Sequence, residues 1–255
     1  MGRAVVLSLL RDRSLVPDHV TVFNRTSDRL VELSETYPDL AIAACPSDVA
    51  RASDVLFLCT DTSAVQGVMD EISSDLDMNT HLVTINGGVS IDEIEALYSG
   101  PVSKVIPTMI MSSGHGFTLI AHSSRVPLLM QEELQALFER SSKVKVLTES
   151  CLNDSTGLTS CAPGLMAMIV ETFAQSGARS SGLSLEEVKE MVIETLLGTA
   201  ITLATGTESI RGLMEKVATR GGMTEKGLEV LEMELPATFD RMFEATMTAL
   251  DGRSE

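Results

Sequence analysis

Short β-branched and aliphatic runs recur along the chain up to Leu147 and then cease. They are Val20–Phe23, Val55–Cys59, His81–Ile85, Lys104–Ile106, Phe117–Ala121 and Lys143–Leu147. Helical patterns separate the earlier ones, as over Asp28–Thr36 and Ala64–Ile72. Strands alternating with amphipathic helices require a mostly parallel sheet covered on both faces. The first half therefore reads as an α/β, doubly wound domain.

Beyond Leu147 the period changes to that of helices. Thr159–Gly177 predicts a long helix that is apolar nearly all round, which suits burial against more than one neighbour. Leu185–Ala204 predicts a second, with Ser184 as its N-cap and Glu186 and Glu187 in its first turn. Glu225–Leu235 and Pro236–Leu250 predict two more, with Pro236 in the first turn of the last. The organisation is thus residues 1–149 as one domain and 150–255 as an all-helical one, apolar enough to pack against its copy in a homodimer or higher oligomer. Met166, Met168, Met191 and Met247 read as core filler.

Composition excludes several classes. A net charge of −17 gives no basic face for a phosphate backbone, so nucleic acid is not expected as a partner. Trp is absent and aromatics are 4%, which leaves little for base stacking. The longest nearly apolar run, Cys161–Val170, falls short of the ~20 residues of a membrane span. The apolar start, Ala4–Leu10, is followed by Arg11 and Arg13 with no small-residue cleavage site. Cys45, Cys59, Cys151 and Cys161 have neither C-x-x-C nor zinc-ligand spacing, so four buried thiols and no metal are expected. The whole reads as cytoplasmic. No G-x-S-x-G elbow, HExxH or P-loop lysine occurs.

A doubly wound sheet binds ligands beyond the carboxyl ends of its strands. The run 20–23 ends in Asn24, Arg25 and Thr26. In a dinucleotide fold this place meets the adenosine ribose, and an Arg with amide and hydroxyl neighbours suits a 2′-phosphate, favouring NADP over NAD. The alternative is an ordinary strand-to-helix turn with Thr26 or Ser27 as N-cap. Met1-Gly2 ahead of a helical Arg3–Arg11 looks like the tail of a glycine-rich phosphate turn. The preceding strand and the first two glycines of G-x-G-x-x-G are not in this sequence. Either the chain is shortened relative to its relatives or the site is damaged, and the neighbouring strands have a gap of ~4.8 Å to fill.

Several stretches, in order along nearly the whole chain, resemble the pyrroline-5-carboxylate reductases. Ser53–Leu58 resembles the strand before that family's cofactor loop, and Ile85-Asn86-Gly87-Gly88-Val89 its next strand and turn. Val105-Ile106-Pro107 followed by Gly114–Thr118 resembles its Met-Pro-Asn-Thr-Pro and G-x-G-x-T segments. Leu158–Leu165 is similar to its Ser-Gly-Ser-Gly-Pro helix start, and Glu194–Gly198 to its Gln-Thr-Leu-Leu-Gly. Val217–Thr224 resembles its Val-Thr-Ser-Pro-Gly-Gly-Thr-Thr signature.

The resemblance implies a dinucleotide-binding sheet followed by a helical dimerisation domain, and hydride transfer from NAD(P)H to the C=N carbon of a cyclic imino acid, giving proline. It implies cofactor contacts at Gly2, Asn24, Arg25, Thr26, Cys59, Thr60, Asn86, Gly87, Pro107 and Thr108. Substrate contacts fall at Thr219, Gly221, Gly222, Met223 and Thr224, with Thr224 the catalytic candidate, its hydroxyl meeting the imine nitrogen or a water. Bare N–H groups at Gly221-Gly222, before a helix, suit the substrate carboxylate. Without the resemblance, the same residues read as a helix break capped by Thr224. Departures stand at Thr108-Met109-Ile110 for Asn-Thr-Pro, at Asp61 for a Lys, and at Arg220 for a Pro. The missing glycine turn, Asp61 and Met109 favour a second reading, a non-catalytic nucleotide-binding or scaffold homologue. A hydroxyacid dehydrogenase of similar plan needs a Lys between Leu158 and Arg179, where there is none. His115 and His122 flank a strand and are minor candidates for the nicotinamide side.

Overall fold

A computed structural model describes residues 1–251, and the side chains of residues 1–248; the last four residues of the 150–255 range lie outside the described residues. The described residues form two compact units: Met1–Cys161 with the end of the last helix from Met247, and Ala162–Thr246.

The first unit begins with helix α1 (Gly2–Arg11). There follow β1 (Thr21–Val22), α2 (Val31–Thr36), β2 (Ala41–Ile42), α3 (Pro46–Ala52), β3 (Val55–Leu58), α4 (Thr62–Ile72) and β4 (His81–Thr84). The chain continues through α5 (Ile91–Glu95), β5 (Val102–Ile106), β6 (Phe117–His122), α6 (Leu128–Phe138), β7 (Lys143–Val146) and α7 (Glu149–Thr159). β3 to β7 form one sheet in that order, parallel except where β6 runs antiparallel to β5. β1 and β2 pair in parallel as a separate two-stranded sheet.

The period-2 alternation of buried strands accounts for the layering. Leu56, Leu58, Leu82, Val102, Ile106, Leu119 and Ala121 face one core, which α4, α5 and α7 complete through Val65, Met69, Ile94 and Leu152. Val55, Phe57, Val83, Val105 and Ile120 face the opposite core, against Val5 and Leu9 of α1 and Leu134 and Phe138 of α6. Leu10 of α1 instead joins Val20, Leu33 and Leu40 around the small sheet. One amphipathic helix thus ties the two sheets together.

The sequence boundary at Glu149 lies twelve residues short of the compact unit's edge at Cys161. The reason is Leu152, fully buried in the first core, which makes α7 part of the sheet domain. The helix expected from Thr159 accordingly starts at Ala162.

The second unit contains α8 (Ala162–Ser181), α9 (Leu185–Ala204), α10 (Ile210–Val217) and most of α11 (Met223–Asp251). Ser184 caps α9 through a reciprocal capping box with Glu187. A β-carbon on Gly177 would stand 3.1 Å from Val188 Cγ1, so α8 and α9 approach closely around Ala174 and Val188. The two terminal helices expected on either side of Leu235 are one: α11 runs through Pro236. Glu232, Met233, Glu234 and Leu235 offer no turn chemistry, so helix propensity continues across the single missing N–H.

Two further expectations are corrected. Met166, Met168 and Met191 are more than half exposed in the single chain, as are Phe173 and Ile193. The described fold of one chain supplies too few neighbours to bury apolar helices this rich. The cysteines are not buried either: Cys45 is intermediate and Cys59, Cys151 and Cys161 are exposed. Each stands next to a helix or strand end, where the chain meets solvent.

Candidate active site

At the carboxyl ends of β3 and β4, the side chain of Asn86 binds the two loops together. Its Nδ2 donates to the Thr60 carbonyl at 3.0 Å. Its Oδ1 accepts from Thr62 Oγ1 at 3.0 Å and from the Gly88 N–H at 2.9 Å. Gly2 abuts this floor, since a β-carbon there would lie 2.8 Å from Cys59 Cβ and 3.0 Å from Cys59 Sγ. The first N–H groups of α1 have no intrahelical partners, and the helix dipole adds positive potential at the same end. Thr60 Oγ1 is buried without a hydrogen bond among the described residues. Cys59 is exposed as a residue, yet its sulfur is walled by α1. Burial pushes the thiol up to about 11, with the nearby amino terminus pulling the other way, so it is no nucleophile at neutral pH.

Beyond β1, the Thr26 N–H donates to Asn24 Oδ1 at 2.9 Å. Thr26 occupies an N-cap position but makes no side-chain cap bond, which leaves its hydroxyl free. Arg25 is exposed and in no ion pair among the described residues. After β5, Pro107 and Thr108 are buried, while Met109 and Ile110 are exposed. Gly116, at φ +96°, faces Thr108: a β-carbon there would stand 2.7 Å from Thr108 Cγ2.

In the helical unit, the Gly221-Gly222 turn differs from expectation. Its N–H groups are not bare. Gly221, at φ +75°, donates to Glu225 Oε2 at 2.6 Å, and Gly222 donates to the Thr219 carbonyl at 2.8 Å. A short two-glycine turn closes on whichever acceptors are nearest, and an acid four residues on is within reach. Thr224 and Met223 are exposed in the first turn of α11, and Arg220 is exposed beside them.

The histidines separate. His115 is exposed in the β5–β6 loop. His122 lies at the opposite end of β6, where Nδ1 meets Ser103 Oγ at 2.7 Å. Strand register pairs Ser103 with His122 and so turns it away from the carboxyl ends of β3 and β4.

Residues 149–251 match the family described as Pyrroline-5-carboxylate reductase dimerisation, and residues 1–88 the family described as NADP oxidoreductase coenzyme F420-dependent. Pyrroline-5-carboxylate reductase 3 of Bacillus subtilis is 32% identical over 249 residues, covering 97% of this chain and 91% of that protein. The chain belongs to the pyrroline-5-carboxylate reductase family. The fold agrees. The pyrroline carboxylate reductase of Plasmodium falciparum, solved with NADP bound, superposes with a TM-score of 0.89 at 18% identity, covering 100% of this chain and 95% of that one. The Coxiella burnetii pyrroline-5-carboxylate reductase gives 0.88 at 20% identity, covering 100% and 95%.

This reductase-family chain is therefore an oxidoreductase homologue that associates through its helical half. The outward apolar side chains of α8 and α9, including Met166, Phe173, Met191 and Ile193, lie in the half that matches the dimerisation family. The helical stretch Glu149–Ser181 is also long enough, and in part apolar enough, to cross a membrane by length and composition; a dimerisation domain presents the same character.

Sequence reading missed one pair beside the turn after β4. Lys104 Nζ, buried in β5, donates to the Gly87 carbonyl at 3.2 Å and meets Glu149 Oε1 at 3.1 Å. The available signal was a lone lysine within a strand whose neighbours are all apolar or small.

Proposed function

We propose that this chain reduces the C=N bond of pyrroline-5-carboxylate, or of a close cyclic imino acid, with NADPH as the reductant, to give proline or its analogue. Family membership supports the reaction class. The observation that carries the substrate side is the Gly221 N–H, which already grips a carboxylate, that of Glu225, at 2.6 Å. A turn that holds one carboxylate has the chemistry to hold another.

The cofactor fits the residues of the sheet domain. The N-terminus of α1 and the unpartnered Thr60 hydroxyl would receive the pyrophosphate, the Gly2–Cys59 contact lets backbone approach closely, and Arg25 with Thr26 would receive the 2′-phosphate. When bound, the dihydronicotinamide supplies the hydride that reduces the imine carbon, and a proton goes to the imine nitrogen. Asn86 fixes the loops around the cofactor. Thr224 orients the imine nitrogen through its hydroxyl, directly or through a water. Arg220 adds a cation beside the substrate acid and selects against uncharged imines.

NADPH oxidation with pyrroline-5-carboxylate tests the reading. Activity is expected in the wild type and abolished when Thr224→Ala is combined with Gly222→Val. Activity unchanged by that pair removes the assigned substrate site. The second reading, a non-catalytic homologue, rests on the exposed acid Asp61 at the N-terminus of α4; no NADPH affinity at millimolar cofactor would defeat the reductase reading.

A further inference from the structure

We propose that Lys104 is a positioning residue for the cofactor, acting through the Gly87 carbonyl and held in place by Glu149. The inference rests on the assignment of Asn86-Gly87 to the cofactor floor.

Lys104 lies on β5 between Val102 and Ile106, on the face that packs against α7, and its side chain is 1% exposed. Its ammonium bridges two acceptors: the Gly87 carbonyl at 3.2 Å and Glu149 Oε1 at 3.1 Å. Glu149, in the first turn of α7, accepts the Ile91 N–H through both oxygens, at 3.0 and 3.2 Å. One buried cation thus joins the turn after β4, the start of α5 and the start of α7.

Stability alone is a poor reason for such a pair. Taking two charges out of water is costly, and apolar replacements of similar volume are often neutral or stabilising. The turn it holds explains it better. Gly87-Gly88 carries no side chain to restrain its peptide planes, and glycine rotates through conformations closed to other residues. Two clamps set the plane of the peptide joining Gly87 to Gly88. On one side Asn86 Oδ1 takes the Gly88 N–H at 2.9 Å. On the other, Lys104 takes the Gly87 carbonyl. If that carbonyl swung away, the Gly88 N–H would leave Asn86. Asn86 would then be free to release the Thr60 carbonyl and Thr62 hydroxyl that it now holds. The cofactor floor would loosen while both hydrophobic cores stayed packed.

The experiment uses the full-length wild type with Lys104→Met, Lys104→Arg and Glu149→Gln. NADPH binding is followed by fluorescence titration, beside thermal melts and steady-state kinetics. Lys104→Met is expected to fold with a melting temperature at or above wild type. Its Kd and KM for NADPH should rise about tenfold or more, while KM for the imino acid and kcat at saturating NADPH stay within about twofold. Lys104→Arg should restore most of the affinity, because its guanidinium can still donate to the carbonyl. Glu149→Gln should weaken NADPH in the same direction by a smaller factor. A folded Lys104→Met chain with wild-type NADPH affinity overturns the inference. Should Lys104→Met fail to fold, unaltered affinity in Glu149→Gln overturns it equally. A wild-type chain that does not bind NADPH at all overturns the cofactor reading and takes this inference with it.

Discussion

The N–H of Gly221 is held by Glu225 Oε2 at 2.6 Å, within one turn of chain. An acid substrate that uses this turn must displace Glu225 or share the donor with it. Removing the competitor should help binding and leave chemistry alone. Glu225→Ala is expected to lower KM for the imino acid roughly two- to tenfold, the equivalent of ~0.5–1.5 kcal/mol for a solvent-exposed hydrogen bond, with kcat little changed. Steady-state kinetics at saturating NADPH checks this; a raised KM would show that Glu225 supports the turn.

Acid should destabilise the sheet domain through a buried trio. His81 Nε2 and His122 Nδ1 each lie 2.7 Å from Ser103 Oγ. The single hydroxyl proton serves one imidazole, and the other must donate. His122 Nε2 is buried without a partner among the described residues. A buried orphan lone pair costs less than a buried orphan N–H, so His122 donates from Nδ1 and Ser103 donates to His81. Burial, with a lesser contribution from His122, lowers His81 from its ordinary 6.5 to about 4. Burial lowers His122 as well. Below pH 6.5 the unfolded chain takes up protons that the folded chain refuses. Stability is therefore full above that pH and falls until about pH 4, by about 3 kcal/mol for His81 alone. Urea denaturation at pH 7 and pH 5 measures the slope, and His81→Gln should flatten it.

Gly116 and Thr108 make a second site where space decides. A β-carbon at Gly116 would meet Thr108 Cγ2 at 2.7 Å, and the backbone sits at φ +96°. Gly116→Ala is expected to cost about 1–2 kcal/mol or more from the backbone alone. Thr108 must also shift, so KM for NADPH should rise in the folded fraction. A variant with normal KM would place Thr108 outside the cofactor's reach.

How much of this was legible follows from signal strength. Strands β3 to β6 stood out because their runs are aliphatic and nearly continuous, as sheets buried on both faces require, and β7 through the alternation of Lys143-Val144-Lys145-Val146 at the exposed edge. β1 was found and β2 was not, since Ala41–Ile42 is two residues long and both are exposed. Helix α7 was missed because Glu149–Thr159 is rich in Ser, Thr, Asn and Asp and buries only Leu152 and Gly157. Asn86 was found by its place after a strand, but its side-chain bonds to Thr60 and Thr62 depend on neighbours distant in sequence. Glu225 was invisible as a participant, because an acid in a helix's first turn reads as an ordinary dipole partner. Pro236 misled, since a proline more often starts a helix than sits within one, and the absence of turn residues just before it is a weaker signal.

The acid at Asp61 sets two effects of opposite sign against each other. Asp61 is exposed at the N-cap position of α4, beside the Thr62–Asn86 bond of the proposed cofactor floor, and its side chain makes no cap bond. As a negative charge at a helix N-terminus it stabilises α4 by ~0.3–1 kcal/mol. In the proposed cofactor site the same charge would repel the phosphates of NADPH. Asp61→Lys should therefore lower the melting temperature slightly while it tightens NADPH binding roughly three- to tenfold at low ionic strength, because reversing a charge counts the Coulomb interaction twice. The gain should shrink as salt rises and screens the exposed pair, while the loss of stability at α4 shrinks with it. Titrations of wild type and variant at low and high salt, beside melts in the same buffers, separate the two effects. Equal NADPH affinities at low salt would mean that no cofactor phosphate comes near the α4 N-terminus, and the pyrophosphate would have to be assigned to α1 alone.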